Sequence, residues 1–305
     1  MKSSFYARLP GSLRGMFMMF VSTISAVSMH TLVRYVAEDM PPFEVAFFRN
    51  FLGLVFLAPL FLRTGVSPLK TDRLPLHIIR NVLVTASMLS FFTALTITPL
   101  AQVTALGFTA PLFATLLAIL FLGEVVRLRR WAAIISGFAG VFVLLRPGFV
   151  AVDLGSVLTV FSALMWGAAI MITKKLSRTE SSLTITFYMA AIMAPLSLIP
   201  ALWAWEWPTG AQWSLLFAIA GFGTITQLCF SQALRETETN VVMPVDFFKL
   251  LWAASLGAIL FGEAPDIFTW IGGAMIFGSA IYIAFRESKL KQGSLRYREP
   301  EPPAG

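Results

Sequence analysis

The chain has 305 residues, of which 57% are hydrophobic and only 13% charged, with a formal net charge of +7. A water-soluble domain carries about a quarter of charged residues, so this composition excludes one and places the chain in a bilayer. The single cysteine, Cys229 in an apolar run, excludes an intramolecular disulfide and a cysteine-based metal cluster.

Apolar runs near the roughly 20 residues needed to cross the hydrocarbon core fall at about 15–36, 43–62, 76–97, 100–122, 131–146, 155–173, 183–203, 212–233, 240–261 and 267–285. The expected fold class is therefore an all-α membrane protein with ten transmembrane helices. The first 36 residues imitate a signal peptide, but their apolar stretch is too long for one and is read as a retained first helix. The tail from Gly293, rich in Pro, Glu and Arg, lacks apolar periodicity and is expected to be disordered.

Sliding the chain by 139 positions places Ala94-Leu95, Thr98, Val103, Phe108, Gly123-Glu124 and Trp131 on Ala233-Leu234, Thr237, Val242, Phe247, Gly262-Glu263 and Trp270. Matches among Leu and Ala are easy by chance, whereas a Gly-Glu pair and a Trp at one common offset are not. The expected organisation is a cytoplasmic tail at 1–14, a first five-helix repeat at 15–146, a linker at 147–154, a second repeat at 155–285 and a basic, disordered cytoplasmic tail at 286–305. An odd helix number inverts the second copy relative to the first, the architecture that alternating access uses.

Cytoplasmic loops carry an excess of Lys and Arg. With the N-terminus inside, eighteen of these residues fall on the inner side, and only Arg34 and Arg146 fall outside. Both termini are therefore expected in the cytoplasm, and the basic charge needs no nucleic-acid partner. The remaining three cations, Arg49, Arg80 and Lys249, sit within spans.

An ionisable side chain at bilayer depth costs about 2.5–3.5 kcal/mol on insertion scales unless it meets a partner or a cavity. Asp246 and Lys249, three apart in the ninth span, share a helical face. They read either as a structural clasp or as a cavity-lining pair that binds a polar solute or carries a coupling proton. Pro244, just before them, frees a backbone carbonyl. Arg49 and Asn50 are assigned about a third of the span from the cytoplasmic end of the second helix, near the limit for snorkelling to the headgroups. His30 titrates near neutral pH when unperturbed, although a lone histidine is more often a hydrogen-bonded packing residue.

Gln102 in the fourth span, Gln227 in the eighth and Asn240 at the start of the ninth offer neutral hydrogen-bonding groups. Trp166 and Trp252 offer stacking surfaces for a flat solute, against the plainer reading of core or interface belt. Small residues four apart, Ala133/Gly137, Ser136/Gly140 and Ala274/Gly278, permit close helix contact between halves or between protomers. The sequence holds no GxSxG, HExxH, CxxC or glycine-rich phosphate loop, and only two histidines, His30 and His77. No catalytic residue, metal ligand or cofactor is expected, and a membrane-embedded enzyme has no positive sign.

The paired LFLGE and LFGE ends, the Trp-containing fifth and tenth helices after them, the FFRN stretch of the second helix and the TAPLFATLLAILFLGE run resemble the drug/metabolite transporter superfamily, in its ten-helix branch with two EamA-type domains. The resemblance covers about 15–285. The second repeat departs from the first, with Lys249 and Leu250 where Ala110 and Pro111 fall. Membership implies a secondary carrier in a bacterial inner membrane, with a central cavity lined by helices one, three, four, six, eight and nine. Overall similarity within the superfamily is to bacterial riboflavin uptake carriers, which makes riboflavin the first expectation for the solute. An amino-acid or other organic-ion exporter is the alternative, because Asp246 and Lys249 together suit a zwitterion. The expected partners are a small-molecule solute, the bilayer and a second copy of the chain in a homo-oligomer.

Overall fold

A computed structural model describes residues 10–65, 70–122, 128–147, 152–176, 179–237 and 239–296; some side chains within these ranges, that of Asn240 included, lie outside the described set. Twelve α-helices follow in chain order among the described residues: α1 (Gly11–Val36), α2 (Pro42–Thr64), α3 (Leu74–Ile97), α4 (Leu100–Gly107), α5 (Ala110–Leu122), α6 (Leu128–Leu145), α7 (Leu154–Leu176), α8 (Ser182–Ala201), α9 (Gly210–Glu236), α10 (Thr239–Asp246), α11 (Phe248–Phe261) and α12 (Ile267–Arg296). Nine helical stretches among the described residues are long and apolar enough to cross a membrane, and Trp131–Leu145 in α6 is a shorter apolar helix. The chain is an all-helical, multi-pass membrane protein.

The fourth span is α4 followed by α5, and the ninth is α10 followed by α11. A proline nitrogen carries no hydrogen. Pro111 therefore cannot close on the Gly107 carbonyl, and the ladder resets through Phe108 and Thr109, whose amides bond to the Ala105 and Leu106 carbonyls. In the ninth span Pro244 removes a bond in the same way, and the helix resets at Phe247, whose carbonyl accepts from the Leu250 amide at 2.9 Å. Phe108 and Phe247 are positions that the 139-residue shift superimposes, so both repeats break at the same place with prolines at different places. The two rings lie 6.2 Å apart, and Phe277 of α12 lies 5.2 and 4.3 Å from them.

The repeats interdigitate. Helix α1 of the first packs on α9 of the second, and α3 packs on α7 and α8, while α2 meets α8 and α9. Helix α4 packs on α11, whereas α5 packs chiefly on α7, and α10 on α1 and α12. The two broken spans therefore meet at the end away from the chain termini, here the far end, and pack on different partners toward the terminal end.

The small residues act between halves. A Cβ on Gly140 would lie 2.9 Å from the Gly272 carbonyl oxygen, and one on Gly272 would lie 2.6 Å from that of Gly140. Gly137 faces Leu112 and Ser279, but nothing lies within 4 Å of a Cβ on Gly278, so that residue does not join the α6–α12 contact. The last helix also runs on to Arg296 and does not end at 285, which corrects the expected disorder of the first part of the tail.

Overpacking a close crossing costs about 1–3 kcal/mol. Gly272→Leu and Gly140→Val should each lower the melting temperature of the purified protein, while Gly278→Ala should leave it unchanged; differential scanning fluorimetry in detergent reads all three.

Candidate functional site

The Gly-Glu motif ends the ninth span. Gly262 takes φ 67°, the left-handed region that a glycine enters without strain, and so stops α11. The turn carries Glu263 onto the first repeat. There its carboxylate accepts from the Leu100 amide at 2.9 Å, capping α4, and pairs with Arg34 of α1. Arg34 in turn donates to the Thr98 carbonyl at 2.8 Å and lies 4.7 Å over the Phe261 ring. Glu124, the matching residue of the first repeat, lies outside the described residues.

Neighbouring contacts extend this far-end tie. The Thr98 hydroxyl donates to Asp153, which also accepts from the Ser156 amide and hydroxyl, capping α7. Gln102 donates to Ser156 at 2.8 Å. Arg146 pairs with Asp266, which caps α12 through Thr269. Buried Glu44 accepts from the Glu206 amide at 2.8 Å. Burial alone would raise the Asp153 carboxyl, but its bonds from Ser156 and Thr98 outweigh that and hold it below the usual carboxylate range; Thr269 and Arg146 do the same for Asp266. Gln102, Arg146, Asp153, Glu263, Asp266 and Thr269 border a cavity of about 310 Å³ between the repeats. Ties at the terminal end include Arg14 with Glu236 at 2.9 Å and Thr71 with Glu180 at 2.6 Å.

Several candidates from the sequence lie deeper in the spans. Asp246 and Lys249 form an ion pair at 2.6 Å beside the break in the ninth span, and both side chains keep some exposure. The His30 ring lies 4.9 Å from Phe91, and its Nδ1 is buried without a partner. Trp252 packs 6.0 Å from Phe20 and 6.3 Å from Phe248; its indole N–H and the Thr226 hydroxyl are also buried without partners. Arg49 donates to Asn50 at 2.8 Å, and its Nε lies 2.8 Å from where a Cβ on Gly223 would be. The second helix runs from the far end toward the terminal end, so Arg49, seven residues after Pro42, lies in the far-end third. This corrects its assigned depth, and the side chain bonds inside the bundle.

Other candidates lie elsewhere. Gln102 belongs to the far-end tie. Gln227 donates to Ser231 one turn along its own helix at 3.3 Å, and Trp166 packs with Val84, Met88 and Met189 between α3, α7 and α8. The side chain of Asn240 lies outside the described residues. Sequence reading missed the roles of Arg34, Asp153 and Asp266, which register there only as loop charges or not at all. Their one local signal is an Asp three residues before a Ser or Thr at a helix start, the pattern of an N-cap.

The model of the EamA-like transporter family matches residues 13–146 and 153–285. The chain belongs to that family. The S-adenosylmethionine uptake transporter of Rickettsia felis is 30% identical over 91% of this chain and 94% of its own length. The riboflavin transporter of Rhizobium johnstonii is 34% identical over 82% of this chain and 83% of its own. A solved crystal structure of 19% identity superposes with a TM-score of 0.64, covering 91% of this chain and 98% of that one, and shows the shared fold alone. EamA-like proteins are transporters, and this one is a transporter, not an enzyme.

Loosening a tie worth about 1 kcal/mol shifts a two-state population about fivefold. In a Cys229→Ser background carrying Gln102→Cys, the added change Glu263→Gln should raise labelling by a membrane-impermeant maleimide about fivefold; unchanged labelling would mean that this tie does not hold the far end shut. A second prediction concerns acid. Because the folded-state carboxyl of Asp153 titrates below its ordinary value of 3.8, its contribution is complete above that value and fades as pH falls through the lower one. The stability advantage of the natural protein over Asp153→Asn should therefore be constant from neutral pH to mild acid and shrink below the ordinary carboxylate range in acid-melting curves.

Proposed function

We propose that this transporter is a secondary carrier that takes up a flat heterocyclic metabolite across a bacterial inner membrane by alternating access, with both termini cytoplasmic and riboflavin as the first solute. The observation that carries this reading is a pair of buried polar atoms without protein partners beside aromatic rings, His30 Nδ1 by Phe91 and Trp252 Nε1 by Phe20 and Phe248; the Thr226 hydroxyl is likewise buried without a partner. A buried polar group without a partner costs about 1–3 kcal/mol. A planar solute rich in ring nitrogens and carbonyls satisfies such groups while its face stacks on the aromatics. Relatives named riboflavin transporter support the choice.

Orientation rests on the distribution of Lys and Arg. On that orientation, the contact of α4 with α11 and the Arg34–Glu263 tie close the outer side, while the packing of α5 and α10 on different partners favours access from the cytoplasm. Arg49, Asn50, His30, Asp246, Lys249 and Trp252 form the proposed binding and coupling group; Gln102, Trp166 and Gln227 are left outside it.

A second reading, a zwitterion such as S-adenosylmethionine, is favoured by the partly exposed Asp246–Lys249 pair, whose opposite charges suit an ammonium and a carboxylate. The relative of that name supports it.

The test is uptake of labelled riboflavin by a bacterial auxotroph without its own importer, with and without a protonophore, and with unlabelled S-adenosylmethionine as competitor. Riboflavin uptake above the empty vector, lowered about tenfold or more by Asp246→Ala, is the expected result. No uptake of riboflavin from well-expressed protein, together with uptake of labelled S-adenosylmethionine, would replace the first reading with the second.

A further inference from the structure

Two Arg-Asn pairs, Arg49-Asn50 on α2 and Arg80-Asn81 on α3, have the same local construction. In each, the Arg Nη1 donates to the Oδ1 of the next residue, at 2.8 Å for Asn50 and 3.0 Å for Asn81. Each asparagine is held in turn by a backbone carbonyl, Ala46 for Asn50 and Tyr188 for Asn81. Among the described residues neither guanidinium has a carboxylate within salt-bridge distance.

Arg80 is fully buried, so its charge is not a lipid headgroup contact. Its protein partners are neutral: Asn81, the Thr173 hydroxyl at 2.7 Å and the Met189 sulfur at 3.9 Å. A guanidinium has five N–H donors, and three contacts, one of them to a weak thioether acceptor, leave donors unmatched. One turn before it on the same face, His77 is fully buried with both ring nitrogens unpartnered, and its ring stacks on Tyr188 at 4.6 Å. A buried charge without a counter-charge costs several kcal/mol, and unmet donors add to that. What this construction lacks is an acceptor with negative charge.

The two pairs lie on opposite sides of the midplane. Arg49 is about 10 Å along α2 from its far-end start, and Arg80 about 9 Å along α3 from its terminal-end start, at 1.5 Å per residue. Between them run Met88, which accepts from Asn50 at 3.6 Å, and Met189, which touches Arg80; Met88 and Trp166 pack on the buried cluster that contains Met189. The positions that match Arg49 and Arg80 in the second repeat are Tyr188 and Ile219, so the first repeat alone supplies these cations.

We infer that Arg49-Asn50 and Arg80-Asn81 are two anion stations on the translocation route, one in each half of the membrane, which hold in turn a carboxylate, phosphate or halide as access alternates. The inference rests on the transporter reading but not on its solute: the anion is either a group of the solute or a small inorganic ion that moves with it. Arg80 and His77, closed off here, receive it when α7 and α8 move relative to α3.

The test reads binding without the solute. Melting of the purified full chain is followed while sodium chloride, sodium formate or sodium phosphate is titrated into low-salt zwitterionic buffer. At least one anion should raise the natural protein's melting temperature in a saturable way, the rise should fall in Arg49→Gln and Arg80→Gln, and it should vanish in the double variant. An equal rise in the natural protein and the double variant would reduce the effect to ionic screening and overturn the stations. Destabilised variants beside a natural protein that ignores all three anions would also overturn them, because the arginines would then be structural. If the double variant does not fold, Asn50→Leu with Asn81→Leu keeps both charges and frees both clamps, and the saturable rise should again weaken; an unaltered rise would count against the inference. Uptake of whichever solute the auxotroph test identifies separates the sources: dependence on external chloride marks a co-moving ion, and chloride-independent uptake that Arg80→Gln lowers tenfold or so marks a group of the solute. Absence of any uptake would reject the proposed solutes while leaving the melting result to stand or fall by itself.

Discussion

Everything in this molecule follows from the lack of water at membrane depth: each backbone break and each polar side chain must find its partner inside the bundle. The two broken spans show the constraint most directly. Prolines at 111 and 244 remove hydrogen bonds in mid-membrane, and the ladder recovers at Phe108–Thr109 and Phe247 through short-range bonds. Their rings, with Phe277, cover the places where the backbone is least regular. Loop ends obey the same rule, since Asp153, Asp266, Glu263 and Glu44 each accept from a backbone amide at the far end.

Duplication distributes these satisfied ends between two interlocked repeats. Because α1 lies on α9 and α3 on α7, each side of the molecule contains helices of both repeats, and a displacement of one repeat shifts both sides at once. Glu263 is the point where this matters most. It closes the ninth span, caps the fourth and neutralises an arginine of the first, so a single carboxylate holds three spans of two repeats in register. Its glycine neighbour explains why the motif is a pair: without the left-handed turn at Gly262, the chain would not deliver the carboxylate there.

The spans were legible because hydropathy is a local property that twenty residues carry by themselves, and the repeat was legible because Gly-Glu and Trp are rare enough to align. The contact of Asp246 with Lys249 was also readable, since helical spacing alone brings residues three apart together. Partnerships across the sequence were not. Arg34 and Glu263 are separated by most of the chain, and nothing near either names the other. Gly272 escaped for a related reason: its partner Gly140 sits in the other repeat, so spacing within one helix could not reveal the crossing, while Gly278, which has the spacing, faces nothing within 4 Å. The depth of Arg49 depended on which way its helix runs, and the structure sets that direction.

Charge is distributed unequally between the repeats, and that inequality bears on how one path could carry a solute both ways through the cycle. The second repeat places its partly exposed cation beside its own acid, so Lys249 and Asp246 are neutral as a pair and each can be lent to a solute only by breaking the other's contact. The first repeat places Arg49 and Arg80 among neutral partners, so accepting a negative group there breaks no ion pair. A route built only of the second kind of site would bind an anion without competition and release it slowly. A route built only of the first would exchange partners readily but attract little. On the route proposed above, attraction and release come from different repeats, which two identical halves could not supply.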